Sequence, residues 1–237
     1  MEVIKMGLFG AIGSFIGGVC SAVGSICSSI GGAIMGAVGA LAPAIASFLP
    51  VLGPVLCVLA QLFAGKPEKE EPEEIGMKAE LAGQEGVKPE NFDSIGAYLD
   101  ELRNNPKYQI EPEKLKNLTP EERAKYQLTG LGLYVKDIEE QQGIALSPAF
   151  LKTIPAMEKQ GYKVEDIAGL MQNMKNNGVS DMGKCADYLR GDLQPGSEDM
   201  SKVYHSVKDM VEKHFADGAI DTDEKIDDLK AAVKSNL

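Results

Sequence analysis

Between Lys5 and Lys66 there is not one Asp, Glu, Lys or Arg, a gap of 60 residues in a chain of 237. Such a gap excludes an ordinary water-facing surface there, because charged side chains populate the exposed faces of soluble helices and strands. Tryptophan is absent, and there are only two histidines and four cysteines. Cys20, Cys27, Cys57 and Cys185 lack both the paired spacing of a zinc site and the density of a disulfide framework. Three of them fall in the uncharged stretch, where they read as small, weakly polar helix residues. His205 and His214 stand nine apart with no Cys nearby, which gives no zinc motif, and Ser206 beside His205 is adjacency rather than a nucleophile–base pair. Gly130-Leu131-Gly132-Leu133 lacks the downstream Lys and Ser or Thr of a phosphate-binding loop. The expectation is a chain that is not an enzyme and carries no cofactor.

Positive charge is scarce as well. The first 65 residues hold only Glu2 and Lys5, so the net charge of -11 sits wholly in residues 66–237, as 23 basic against 34 acidic side chains. An acidic body repels phosphate, which argues against nucleic-acid binding through a basic surface. A cleaved secretory signal fits poorly: Glu2 cancels Lys5, and the apolar stretch far exceeds the usual ~7–15 residues. Export, if it occurs, is expected by a route that needs no such signal.

What the uncharged stretch does contain is glycine, 12 of the chain's 26. A bilayer core about 30 Å thick takes roughly 20 apolar residues as a helix, so the stretch has room for two spans. The sequence predicts one helix over residues 8–40, a bend carrying Pro43, Pro50 and Pro54, and a second helix over residues 51–63: a hydrophobic helical hairpin. Ile12, Ile16, Val19, Val23, Ile26 and Ile30 recur at alternating spacings of four and three, a heptad stripe. Ser14, Gly18, Ser21, Ser25, Ser28 and Gly32 form a small-residue stripe, and Gly13, Gly17, Cys20, Gly24, Cys27 and Gly31 run between the two. In lipid, small faces let helices approach closely; here they either pack the partner arm of the hairpin or line a narrow polar path in an oligomer. In water, the 12 glycines of the stretch, at about 1 kcal/mol each relative to Ala, would heavily destabilise helices built from it. The inserting and packing face is assigned to Leu8, Phe9, Ile12, Phe15, Ile16, Gly17, Gly18, Ser21, Gly24, Ser28, Gly31 and Gly32.

Gly7-Leu8-Phe9-Gly10-Ala11-Ile12, followed by Phe15-Ile16 and Gly18, resembles the fusion peptide of influenza haemagglutinin over about a dozen residues. Six residues precede Gly7, where that family has a free N-terminal glycine, and Gly17 stands where an acidic residue is expected. The resemblance implies a Gly/Ile/Phe-rich helix that enters a membrane shallowly or obliquely. In layout the chain is similar to pore-forming effectors of bacterial type VI secretion systems and to phage ejection or pilot proteins.

Residues 66–90 open with Gly65-Lys66-Pro67 and the run Glu68-Lys69-Glu70-Glu71-Pro72-Glu73-Glu74, read as an acidic, Pro-containing linker. Residues 91–237 read as a soluble all-α domain with helices near 92–104, 119–142, 148–160, 164–177, 181–190, 197–216 and 222–235. The signals are the capping box at Thr119-Pro120-Glu121-Glu122, Ser147-Pro148, and stops at Gly161, Gly178 and Gly191. Ile95-Gly96 through Leu102-Arg103 echoes Met182-Gly183 through Leu189-Arg190, which reads as shared helix-start chemistry. Asp217, Asp221 and Glu224 match the second half of an EF-hand loop, but Lys213 and Phe215 occupy the first two ligand positions, so calcium is not expected.

The expected function is a membrane-inserting, pore-forming or permeabilising effector that partners lipid, self-assembles, and needs a chaperone or carrier to shield its hairpin. The alternatives are a virion ejection protein forming a conduit through the host envelope, and a resident membrane-anchored scaffold. The expected location is a membrane, reached by secretion to a target cell or carriage in a virion.

Overall fold

The computed structural model describes residues 48–67, 69–216, 218 and 220–236. Among these the chain is all-helical, with one isolated parallel bridge between Ala145 and Asp181 and no strand. It divides into two compact units between Glu140 and Gln141.

In the first unit, α1 spans Leu49–Ala64 and α2 spans Pro72–Gln84. A short 3-10 turn over Pro89–Asn91 leads to α3 (Ile95–Asn104), a second over Pro106–Tyr108 leads to α4 (Pro112–Lys116), and α5 runs over Pro120–Gln142. The second unit holds α6 (Pro148–Leu151), α7 (Ile154–Lys159), α8 (Val164–Asn176), α9 (Gly183–Arg190), α10 (Glu198–His214) and α11 (Thr222–Asn236).

The prolines of the uncharged stretch act differently from the bend assigned to them. Pro50 sits in the first turn of α1 and Pro54 inside the helix, while Pro43 lies outside the described residues. First-turn N–H groups have no helical acceptor, so Pro50 costs nothing there, and Pro54 forfeits only the single bond to the Pro50 carbonyl. Both rings project to the exposed side of α1. On the other side Leu52, Val55, Leu56, Leu59 and Ala60 are at most 2% exposed. The helix stops at Gly65, whose φ of 63° is left-handed. At sixteen residues α1 is ~24 Å long. No helix among the described residues is long and apolar enough to cross a membrane.

The run read as a linker contains α2, begun by Pro72 with Glu73 and Glu74 in its first turn, where carboxylates favour the helix dipole. The contact of α2 with α5 is backbone on backbone. A Cβ placed on Gly76 would lie 2.1 Å from the Tyr126 carbonyl oxygen, and one on Gly130 would lie 2.0 Å from that of Pro72. Residue numbers rise along one helix as they fall along the other, so the pair is antiparallel.

In the second unit α8 packs on α10, and α9 is flanked by α6, α10 and α11. Ile167, Leu170, Met171 and Met174 of α8, with Val203, Val207, Met210 and Val211 of α10, are buried at the spacing of one helical face. Gly161, Gly178 and Gly191 do end helices, with φ of 92°, 77° and 85°. The helix expected over 148–160 is broken at Lys152–Thr153, because Pro155 has no N–H to give the Leu151 carbonyl, and Thr153 Oγ1 instead donates to the Phe150 carbonyl at 2.7 Å. The repeated Asp-x-Leu-Arg pattern has one meaning in both places. Leu102 and Leu189 are fully buried, while Asp100–Arg103 and Asp187–Arg190 are ion pairs one turn apart.

Gly76→Ala and Gly130→Ala should each destabilise the first unit by about 1–3 kcal/mol, since the methyl meets backbone that cannot rotate away. Gly169→Ala, with nothing within 4 Å of the added carbon, should be neutral or stabilising by up to about 1 kcal/mol. Urea unfolding of the three variants separates these outcomes.

Candidate functional site

The groove beside α1 is built by three stretches of the first unit. Leu49, Pro50, Gly53, Pro54 and Cys57 supply one wall, Pro72 the end of α2, and Gln127 and Leu131 the α5 side, enclosing about 430 Å³. Its lining is apolar apart from the Cys57 thiol and the Gln127 amide. Gly53 leaves the α1 wall open, with nothing within 4 Å of where a Cβ would stand.

Behind the groove lies a buried ionic clamp. Arg103 donates from Nε to Glu70 Oε1 at 2.8 Å and from Nη2 to Oε2 at 3.0 Å, and the Tyr134 hydroxyl donates to the same Oε2 at 2.8 Å. Lys66, only 5% exposed, stands over the Tyr134 ring with its ammonium 4.8 Å from the centroid. One turn into α2, Glu73 accepts from Arg123 at 2.7 Å, and Arg123 also donates to the Leu115 carbonyl at 2.7 Å. Glu80 ties α2 to α5 again through Lys125 at 3.0 Å and the Tyr126 hydroxyl at 2.6 Å.

These surroundings set the ionisation of the clamp. Burial disfavours the Arg103 charge, but its bonds to Glu70 more than offset this and hold the guanidinium above its ordinary value. Burial first and the Glu70 carboxylate second push the Tyr134 hydroxyl far up, so it remains a donor. Burial also raises the Cys57 thiol, partly countered by the Lys66 ammonium, which leaves a weakly nucleophilic thiol at neutral pH. At the clamp and the groove these groups act as fasteners and as apolar contacts.

Of the residues singled out from sequence, Leu8, Phe9, Ile12, Phe15, Ile16, Gly17, Gly18, Ser21, Gly24, Ser28, Gly31, Gly32 and Pro43 lie outside the described residues, as does Asp217. Pro50 and Pro54 line the groove. Asp221 is an N-cap: its Oδ1 accepts from the backbone N–H of Asp223 at 3.1 Å and of Glu224 at 3.2 Å. Among the described residues no group of three or more His, Cys, Asp or Glu is placed to hold a metal ion. His214 Nδ1 lies 2.8 Å from Asp166 Oδ2, and its ring packs on Tyr162 and Phe215. Sequence reasoning missed Glu70, Glu73, Arg103, Arg123 and Tyr134. The available signal was Arg103 and Arg123, two of only three arginines in an acidic body, downstream of the dense run of glutamates at 68–74.

Glu70→Gln leaves half-buried Arg103 with the exposed Asp100 as its carboxylate partner and should cost about 1–3 kcal/mol in urea unfolding. Glu113→Gln, from the exposed pair with Lys116, should cost less than ~1 kcal/mol. The folded chain holds the Tyr134 proton more tightly than the unfolded chain, whose tyrosines titrate near 10. Stability from this group is thus complete below pH 10 and declines as pH rises beyond it, by about 1.4 kcal/mol per pH unit. Tyr134→Phe should lose the Glu70 bond at pH 8 yet show a shallower decline between pH 10 and 11.5, measured by unfolding at each pH.

No protein-family model, no curated protein and no solved structure matches this chain, so its function has to be argued from its own residues.

Proposed function

We propose that this chain is a membrane-permeabilising protein, of the effector type delivered without a cleaved signal, whose uncharged N-terminal stretch enters a target bilayer and self-assembles there. The observation that carries the reading is the 60-residue run without a charge, a fifth of it glycine. In water a segment of that composition buries too little against itself to repay its conformational entropy, whereas in lipid its glycine faces allow close helix contact.

The dimensions agree with an unequal hairpin. Residues 8–40 as one helix would be ~50 Å long, ample for a core of about 30 Å, while α1 at ~24 Å falls short of spanning alone. The first arm therefore carries the crossing, and α1 follows as a shorter, Pro-bearing partner. The layout likeness to type VI pore-forming effectors and phage ejection proteins rests on the same features. The acidic body keeps the chain in solution and, at neutral pH, is repelled by anionic lipid, so the inserting arm rather than the body makes the first contact.

Dye and ion release from liposomes tests this on the full chain. Size-limited leakage is expected, and Gly24→Leu with Gly31→Leu should slow it at least tenfold by closing the small face. Membrane binding without leakage by the unaltered chain would replace the pore with an anchor or a virion component.

A further inference from the structure

We infer that the outward side of α1 is a lipid-contacting surface, which seats this helix along the headgroup level of a zwitterionic bilayer and does not carry it through. This rests on the membrane reading above and gives α1 its place in it. Phe48 through Gly65 hold no charged residue, whereas every other helix of the first unit carries at least one. At about 100° per residue, Pro50, Pro54, Cys57, Val58, Gln61 and Leu62 fall on one side of α1, away from Leu52, Leu56 and Leu59. Pro50 and Pro54 are exposed, and Cys57, Val58 and Gln61 are half-buried. Leu62 is 53% exposed, the one large apolar side chain so exposed among the described residues. The groove on the flank of this side is lined without a charge as well. A single exposed leucine is ordinary on any protein, but a helix side about four turns long with no charge on it marks an interaction surface.

The surrounding charges select the occupant. The whole net charge of -11 lies after α1, so a second copy would bring an equally acidic body with it, whereas a zwitterionic surface brings no net charge. Lys66, the first cation after α1, is 5% exposed and folded over Tyr134, so it does not reach for anionic headgroups. On the other side of Phe48 the only charges in the sequence are Glu2 and Lys5, and α1 joins directly to the most apolar part of the chain.

Three features hold α1 at the surface of the bilayer. Its inner side is taken: Leu52, Val55, Leu56, Leu59 and Ala60 are at most 2% exposed. Only the outer half of a helix ~10 Å across is then free to enter, to a depth of about 5 Å. Its length of ~24 Å is short of a hydrocarbon core of about 30 Å. Finally, Pro54 has no N–H to give the Pro50 carbonyl, on the exposed side of the helix. Hydrocarbon strongly penalises a carbonyl without a donor, while water at the headgroups supplies one.

The chain has no tryptophan, so an introduced one is its only indole. Leu62→Trp in the full chain, mixed with phosphatidylcholine vesicles, reads the depth of α1. Bromines near the head end of the acyl chains should quench its emission at least threefold more than bromines near the chain ends. Val58→Trp should behave in the same way, and adding Leu62→Glu to it should cut the quenching at least threefold. Stronger quenching by the chain-end bromines makes α1 a second spanning arm and overturns the inference. Quenching that appears only with anionic lipid, or no quenching by either set, overturns it too. Dye release from the same vesicles separates this from the membrane reading. Head-end quenching without leakage keeps the α1 surface and removes the pore, and leakage without quenching does the reverse.

Discussion

Everything in the first unit depends on two helices touching through their backbones. Gly76 and Gly130 remove the side chains that would hold α2 and α5 apart, and each glycine faces the other helix's carbonyl. At that separation the long side chains on either flank can meet: Glu73 reaches Arg123, and Glu80 reaches Lys125 and Tyr126. A wider spacing would leave these groups half-buried without partners, which is the costly state for a charge. The seam also sets where Pro72, Gln127 and Leu131 stand, and so gives the groove its far wall.

The clamp has a different task from the seam. Glu70 lies just after α1, in a stretch whose composition suggests free solvation, and its partners Arg103 and Tyr134 come from α3 and α5. Desolvating Glu70 and Arg103 is unfavourable, and the forked pairing with a tyrosine on the second lone pair recovers that loss only in one geometry. The result is a directed anchor: α1 leaves the clamp at a fixed point, with Lys66 folded over Tyr134 beside it.

Local signals predicted the helical body well, and non-local ones not at all. Ser94, Thr119, Ser147 and Ser197 all cap helices, as their side-chain bonds to the following turn show. These are contacts three residues apart, which a linear reading can find. The Glu70–Arg103 and Glu73–Arg123 pairs span 33 and 50 residues, and no pattern within a helix turn connects them. For the same reason α2 was read as a linker: its buried face is mostly Ala and Gly beside a run of glutamates, so it carries little hydrophobic periodicity. Pro54 misled in the opposite sense, since proline's cost depends on how near the helix start it lies, and α1, beginning at Leu49, takes Pro54 in its second turn. The groove could not be read from sequence because its walls come from three separated stretches.

The order of these pieces along the chain matters during synthesis. The uncharged stretch and α1 leave the ribosome before α5, and Leu131, on the α5 side of the groove, follows Leu56 by 75 residues. At about 5–20 residues per second, that is a wait of roughly 4–15 s in which α1 has been made and the α5 wall of its groove does not yet exist. Collapse of an apolar segment takes microseconds, so the interval is long by several orders of magnitude. The groove is thus complete only once α5 has been made, and the part of its lining on α1 waits for the part on α5.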